Sequence, residues 1–179
     1  MKKISRKKLN NKGFTLVELL AVIVVLAVVM VLATTTVLPY MTKSTKNAFA
    51  IEANGAIDAA QNAISLISVG TISLPTNDED FNKSETTEGG VTTTTYCFSL
   101  KKLVELGIWK KDLDDVTGDN PIYEGTVVAT ETSTSKAYSY AVQMHNKDLY
   151  VNNAAGTVDG ETDVLDYTTE VKDLKTACE

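Results

Sequence analysis

The chain has 179 residues, 44% of them hydrophobic, and its 17 basic and 23 acidic side chains give a net charge of −6. That length accommodates one domain and an appendage, and the acidic balance argues against direct nucleic-acid binding, which needs lysine and arginine against the phosphates. The apolar residues are concentrated between Phe14 and Leu38, so the part able to fold around its own core begins later.

Residues 1–13 form a basic leader, in which Lys2, Lys3, Arg6, Lys7, Lys8 and Lys12 supply six of the 17 basic residues, and no acid precedes Glu18. Positive charges on one flank of a membrane segment stay on the cytoplasmic side. Without the leader the net charge would change from −6 to −12. As a helix, Phe14 to Leu38 would extend about 37 Å, enough to cross a hydrocarbon core about 30 Å thick. Three readings fit such a segment: a secretory signal peptide cut after Ala33, behind Val31-Leu32-Ala33; a permanent anchor; or a short leader that is removed while the apolar helix is kept. Glu18 is required by neither of the first two. A charge at the bilayer centre costs about 2.5–3.5 kcal/mol on insertion scales and less near the interface, so this carboxylate calls for a partner.

The run Lys12-Gly13-Phe14-Thr15-Leu16-Val17-Glu18-Leu19-Leu20, behind its basic leader and ahead of an apolar helix, resembles the processing site of type IV prepilins. The resemblance implies that a prepilin peptidase cuts between Gly13 and Phe14, that Phe14 is N-methylated, and that Glu18, then the fifth residue, acts in subunit assembly. It also implies an α+β fold in which a long N-terminal helix packs against an antiparallel β-sheet head. The chain would sit in the membrane before assembly and then be built by the inner-membrane pilus machinery into a homo-oligomeric helical filament outside the cell. Two alternatives stay open: a pseudopilin of a type II secretion or DNA-uptake system, and, from a different class, a secreted adhesin or enzyme cut after Ala33.

Residues 14–39 are the expected transmembrane and filament-core helix, and 40–179 the head. Thr34-Thr35-Thr36 and Pro39 weaken the helix where it would leave the membrane, because Pro39 has no N–H for the carbonyl of Thr35; a kink or local melt is expected. From Tyr40 the apolar positions Phe49, Ala53, Ala56, Ile57, Ala60, Ile64 and Ile67 recur every three or four residues, which predicts an amphipathic helix over about 40–69 that ends near Gly70. A continuous helix from Phe14 to Val69 would be about 84 Å long.

Thr76 to Gly90 is acidic and polar with one isolated Phe81, and reads as a surface loop. The sheet is expected over about 91–179. Val91 to Phe98 is β-prone, Ser99 can cap a helix from Leu100 to Leu106 ended by Gly107, and further strands are expected at Thr126–Thr132, Tyr138–His145 and Leu149–Asn152, the last after an Asn146-Lys147 turn. The segment Tyr96-Cys97-Phe98-Ser99-Leu100 and the turn Leu103-Val104-Glu105-Leu106-Gly107 resemble features of pilins from Gram-positive bacteria.

No catalytic residue, metal or cofactor is expected. His145 is the single histidine, on a predicted strand beside a turn, and reads as structural or solvated. No Gly-rich phosphate loop, paired CxxC or HExxH is present. Asp159-Gly160-Glu161-Thr162-Asp163 with Glu170 has the alternating oxygen ligands of a calcium loop, but Val164 stands where the EF-hand turn requires Gly; a solvated acidic loop is the first reading, and calcium binding stays open as the second. Cys97 and Cys178 are the two cysteines of a head expected in an oxidising setting, where an even pair favours a disulfide, although two unpaired thiols satisfy the same sequence. Such a bridge would be worth about 4–5 kcal/mol in the chain-entropy model.

Overall fold

The computed structural model describes residues 15–73, 78, 80–110 and 123–167. The chain divides into two units, Met1–Thr42 and Lys43–Glu179. Helix α1, Leu16–Ser68, runs from the first into the second, followed by strands β1, Phe81–Glu88, and β2, Val91–Ser99, helix α2, Leu100–Glu105, and strands β3, Glu124–Thr132, β4, Ser135–His145, β5, Leu149–Asn153, and β6, Val164–Asp166. The expected α+β arrangement of a long N-terminal helix and an antiparallel sheet is present.

In the first unit every described residue is exposed. The helix does not melt at Pro39, which lies inside α1. The hydroxyls of Thr34, Thr35 and Thr36 turn back onto the carbonyls of Met30, Val31, Leu32 and Ala33 at 2.9 to 3.4 Å. Each threonine thereby satisfies its own polar group within the helix, and the backbone stays helical although one N–H is missing.

In the second unit α1 buries Phe49, Ala50, Ala53, Ala56, Ile57, Ala59, Ala60, Ala63 and Ile64. These positions repeat at helical spacing, and the predominance of alanine lets neighbouring backbone come close. Trp109 packs beside Gly55, its Nε1 3.5 Å from where a Cβ would sit, an ordinary contact distance. The helix ends on a Schellman motif: Gly70 adopts φ 73°, its N–H donates to the Ile67 carbonyl at 3.0 Å, and the Thr71 N–H reaches the Leu66 carbonyl at 2.9 Å.

The six described strands pair in sequence order as one antiparallel meander. Alternate residues turn one face of the sheet to the core, where Phe98, Val127, Ala129, Val142, Met144, Val151 and Val164 are buried together with the apolar stripe of α1. Phe81 and Phe98 face each other across β1 and β2 with ring centroids 5.1 Å apart. Helix α2 starts as expected, with the Ser99 hydroxyl accepting from the Lys102 N–H at 3.0 Å. It closes on the same motif as α1, through Gly107 and Ile108 bonded to the Val104 and Leu103 carbonyls.

Two strands correct the sequence reading. The expected surface loop over 76–90 holds β1, which joins β2 through Gly89 and Gly90, at φ 57° and 82°. Positive φ at both central residues is the two-residue hairpin geometry that glycine adopts without strain. β1 escaped detection because past Phe81 all of its side chains are exposed, so the edge strand carries no apolar alternation. β6 is three residues long and buries Val164 alone, which is too short for a period to register.

Candidate functional site

Among the described residues of the first unit, the apolar side chains have no core of their own to enter. From Leu16, 80% exposed, to Val22, 50% exposed, and on through Leu38, they face outwards. An apolar helix exposed on all sides requires lipid or other helices around it. It is long and apolar enough to cross a membrane.

The start of this helix is built from Thr15 and Glu18. The Thr15 N–H and hydroxyl both donate to Glu18 Oε2 at 2.9 Å, and the Glu18 N–H donates to Thr15 Oγ1 at 3.3 Å. This is a reciprocal capping box, in which side chains take the place of water at N–H groups that have no partner inside the helix. The sequence reading missed it, although Thr15-Leu16-Val17-Glu18 carries its spacing. Glu18 thus has a partner within its own chain. Gly13 and Phe14 lie outside the described residues.

Cys97 is buried on β2, 2% exposed, whereas Cys178 lies outside the described residues. His145 closes β4, where its ring stacks on Tyr167 with centroids 4.9 Å apart and Nε2 lies 3.4 Å from Glu124 Oε2. It bridges the end of β4 to the start of β3 and to the chain after β6.

In the acidic loop ahead of β6, the carboxylates cap backbone. Asp159 Oδ1 accepts from the N–H groups of Glu161 at 2.7 Å and Thr162 at 3.2 Å, and these bonds hold its pKa below the usual carboxylate range. Asp163 Oδ2 accepts from Asn153 Nδ2 and the Asp159 N–H, both at 2.8 Å. Glu161 pairs with Lys43 on α1, and Asp166 with Lys46 at 3.4 Å. Asn54 grips the same loop with both ends of its amide, donating to the Val158 carbonyl at 2.9 Å and accepting from the Val158 N–H at 2.8 Å. Gly160 lies so close to α1 that a Cβ there would meet the Asn47 Cα at 2.7 Å. These contacts fasten the loop to α1, and among the described residues no three His, Cys, Asp or Glu side chains converge as a metal site. Glu170, the remaining member of the calcium-like pattern, lies outside the described residues.

Residues 8–34 match the family model of the prokaryotic N-terminal methylation motif. The match covers the end of the basic leader, the Gly13-Phe14 junction, the Thr15–Glu18 capping box and the apolar part of α1 as far as Thr34. No curated protein and no solved structure matches the chain.

Proposed function

We propose that this chain, which the N-terminal methylation motif marks as type IV pilin-like, is a pilus subunit that polymerises through α1 into an extracellular filament. A prepilin peptidase removes residues 1–13 and Phe14 is N-methylated. The apolar helix holds the subunit in the membrane until the assembly machinery extracts it and packs it against other copies. The chain contributes packing chemistry, and no enzymatic activity is proposed for it. The observation that carries this reading is the coincidence of the methylation motif with an apolar helix whose side chains are all exposed. A helix that is retained after processing and later surrounded by identical helices needs that surface; the apolar region of a signal peptide has one too, and the methylation motif is what favours retention. The motif alone fits a pseudopilin equally well. The six-stranded head has its own core, and we assign its exposed surface to the outside of the filament, with Cys97 and Cys178 joined in a disulfide.

One intact-mass measurement with fragmentation tests processing and the bridge. The mature chain is expected to begin at Phe14 and carry one methyl group on its amino nitrogen, and before reduction to weigh two hydrogens less than after it. A mature N terminus at Thr34 would replace this reading with the secreted one. Recovery of the chain in filaments sheared from cells then separates a pilus subunit from a pseudopilin.

A further inference from the structure

The outer edge of the sheet carries a charge pattern that assembly through α1 leaves unused. Among the described strands, β1 has β2 as its one neighbour in the sheet, and beyond Phe81 its residues are exposed. The Ser99 N–H donates to the Asp80 carbonyl at 2.9 Å, and the register pairs Phe81 with Phe98. The residues of β1 bonded to β2 are therefore Asn82, Ser84, Thr86 and Glu88, whereas Lys83, Glu85 and Thr87 turn their N–H and C=O groups away from the sheet. At the start of the edge, the Phe81 N–H is taken by the Asp78 carbonyl at 3.2 Å.

We propose that this edge pairs antiparallel with β1 of a second copy of the chain, in the register that sets Lys83 of each copy opposite Glu85 of the other. A slip of one residue turns the bonding groups away from each other. A slip of two in either direction sets Lys83 against Lys83 or Glu85 against Glu85. Backbone bonding and charge are satisfied together in this register and opposed in its neighbours. Within one strand the Lys83 ammonium and Glu85 carboxylate already meet at 2.9 Å, so both side chains stand on the same face. Pairing exchanges two exposed bridges within chains for two bridges between them.

The contact is two-fold, each copy using the same surface. A polar filament of the kind proposed above repeats a head-to-tail contact, so, on that reading, the β1 edge joins heads of neighbouring filaments. Four backbone hydrogen bonds make a weak pair. A filament presents the edge many times, and linked weak contacts gain by multivalency. Lysine on an edge strand ordinarily discourages pairing; here it discourages the wrong registers and admits one.

The test uses the full-length chain in detergent micelles, followed by sedimentation, with the variants Lys83→Glu and Glu85→Lys. The wild-type chain is expected to self-associate reversibly. Each variant alone places like charges at both cross-strand positions and weakens association about tenfold or more. An equimolar mixture of the two restores it, because the two acidic side chains on the edge of one variant then face the two basic side chains on the edge of the other. Disruption of either fold could not produce that recovery. The proposal is overturned if the wild type stays monomeric at millimolar concentration, if the single variants associate as the wild type does or more strongly, or if the mixture does not recover. Since no filament is involved, this result is independent of the mature N terminus.

Discussion

Asp78 and Asp80 show how individual side chains fix where the sheet begins. Asp78 pairs with Lys102 at 2.5 Å and accepts from the Asp80 N–H at 3.0 Å; Asp80 pairs with Lys101 and accepts from the Ser99 hydroxyl, both at 2.9 Å. The entry to β1 is thereby tied to the first turn of α2. The hydrogen bond from Lys102, followed by the Asp80 N–H, holds the Asp78 carboxyl below its ordinary value, and Lys101 does the same for Asp80 against an opposing effect of burial. A carboxylate with a depressed folded pKa contributes stability that is fully present above its unfolded value of about 3.9 and lost as the pH falls through the folded value. Urea midpoints of the full chain in detergent are therefore expected to fall on acidification below about pH 4. In the double variant Asp78→Asn, Asp80→Asn the midpoint should be lower at neutral pH and its acid slope shallower, though not flat, because Asp159 titrates in the same direction. An unchanged slope would remove these two carboxylates from the account.

At the scale of elements, the loop ahead of β6 is held to α1 by the amide of Asn54. Asn54→Ala removes two hydrogen bonds and leaves both backbone groups of Val158, itself 7% exposed, without their partner. The expected cost is about 2–3 kcal/mol, read as a lower urea midpoint, and a loss below a few tenths would mean that water replaces the amide. This clamp was not legible in the sequence, because a polar residue on a helix face looks solvated until the loop 104 residues later is laid over it. Legible elements were those whose signal is local. The alanine-rich stripe from Phe49 to Ile64 has helical period, Ser99 and Gly107 punctuate α2, β3 and β4 bury apolar residues two apart (Val127 and Ala129, Val142 and Met144), and β5 is a short apolar run, Leu149-Tyr150-Val151, marked by the Asn146-Lys147 turn before it. β1 and β6 were missed where burial falls on a single residue. The Gly89-Gly90 pair was read as the end of a loop, although between two paired strands it is a hairpin signal. At the N terminus, the resemblance implies a partner for Glu18 outside the chain, whereas the structure shows a capping partner, Thr15, inside it.

For the whole molecule, the question is which of two roles of Glu18 governs assembly. Its carboxylate caps α1 through Thr15, and we propose that in the filament it meets the amino group that cleavage exposes on Phe14 of a neighbouring subunit. Loss of a cap costs about 1 kcal/mol. A charge left alone in apolar surroundings costs about 2.5–3.5 kcal/mol at the centre of a membrane helix, and an unpaired amine inside a filament faces a penalty of the same kind. The charge should therefore dominate. Three substitutions separate the roles. Glu18→Gln keeps an oxygen able to accept from the Thr15 N–H, so it retains the capping box and loses the charge. Thr15→Val keeps the charge and loses the hydroxyl half of the box, and Glu18→Ala loses both. All three are expected to be cut after Gly13, because the peptidase reads the junction before the helix is packed. Filament yield by shearing should fall strongly for Glu18→Ala and Glu18→Gln and only modestly for Thr15→Val. Glu18→Asp should be intermediate, since its shorter side chain reaches less far. Mass of the processed chain and filament yield are measured on the same cells, which separates cleavage from assembly. Normal filament yield from processed Glu18→Gln protein would assign Glu18 to the cap and end the charge mechanism.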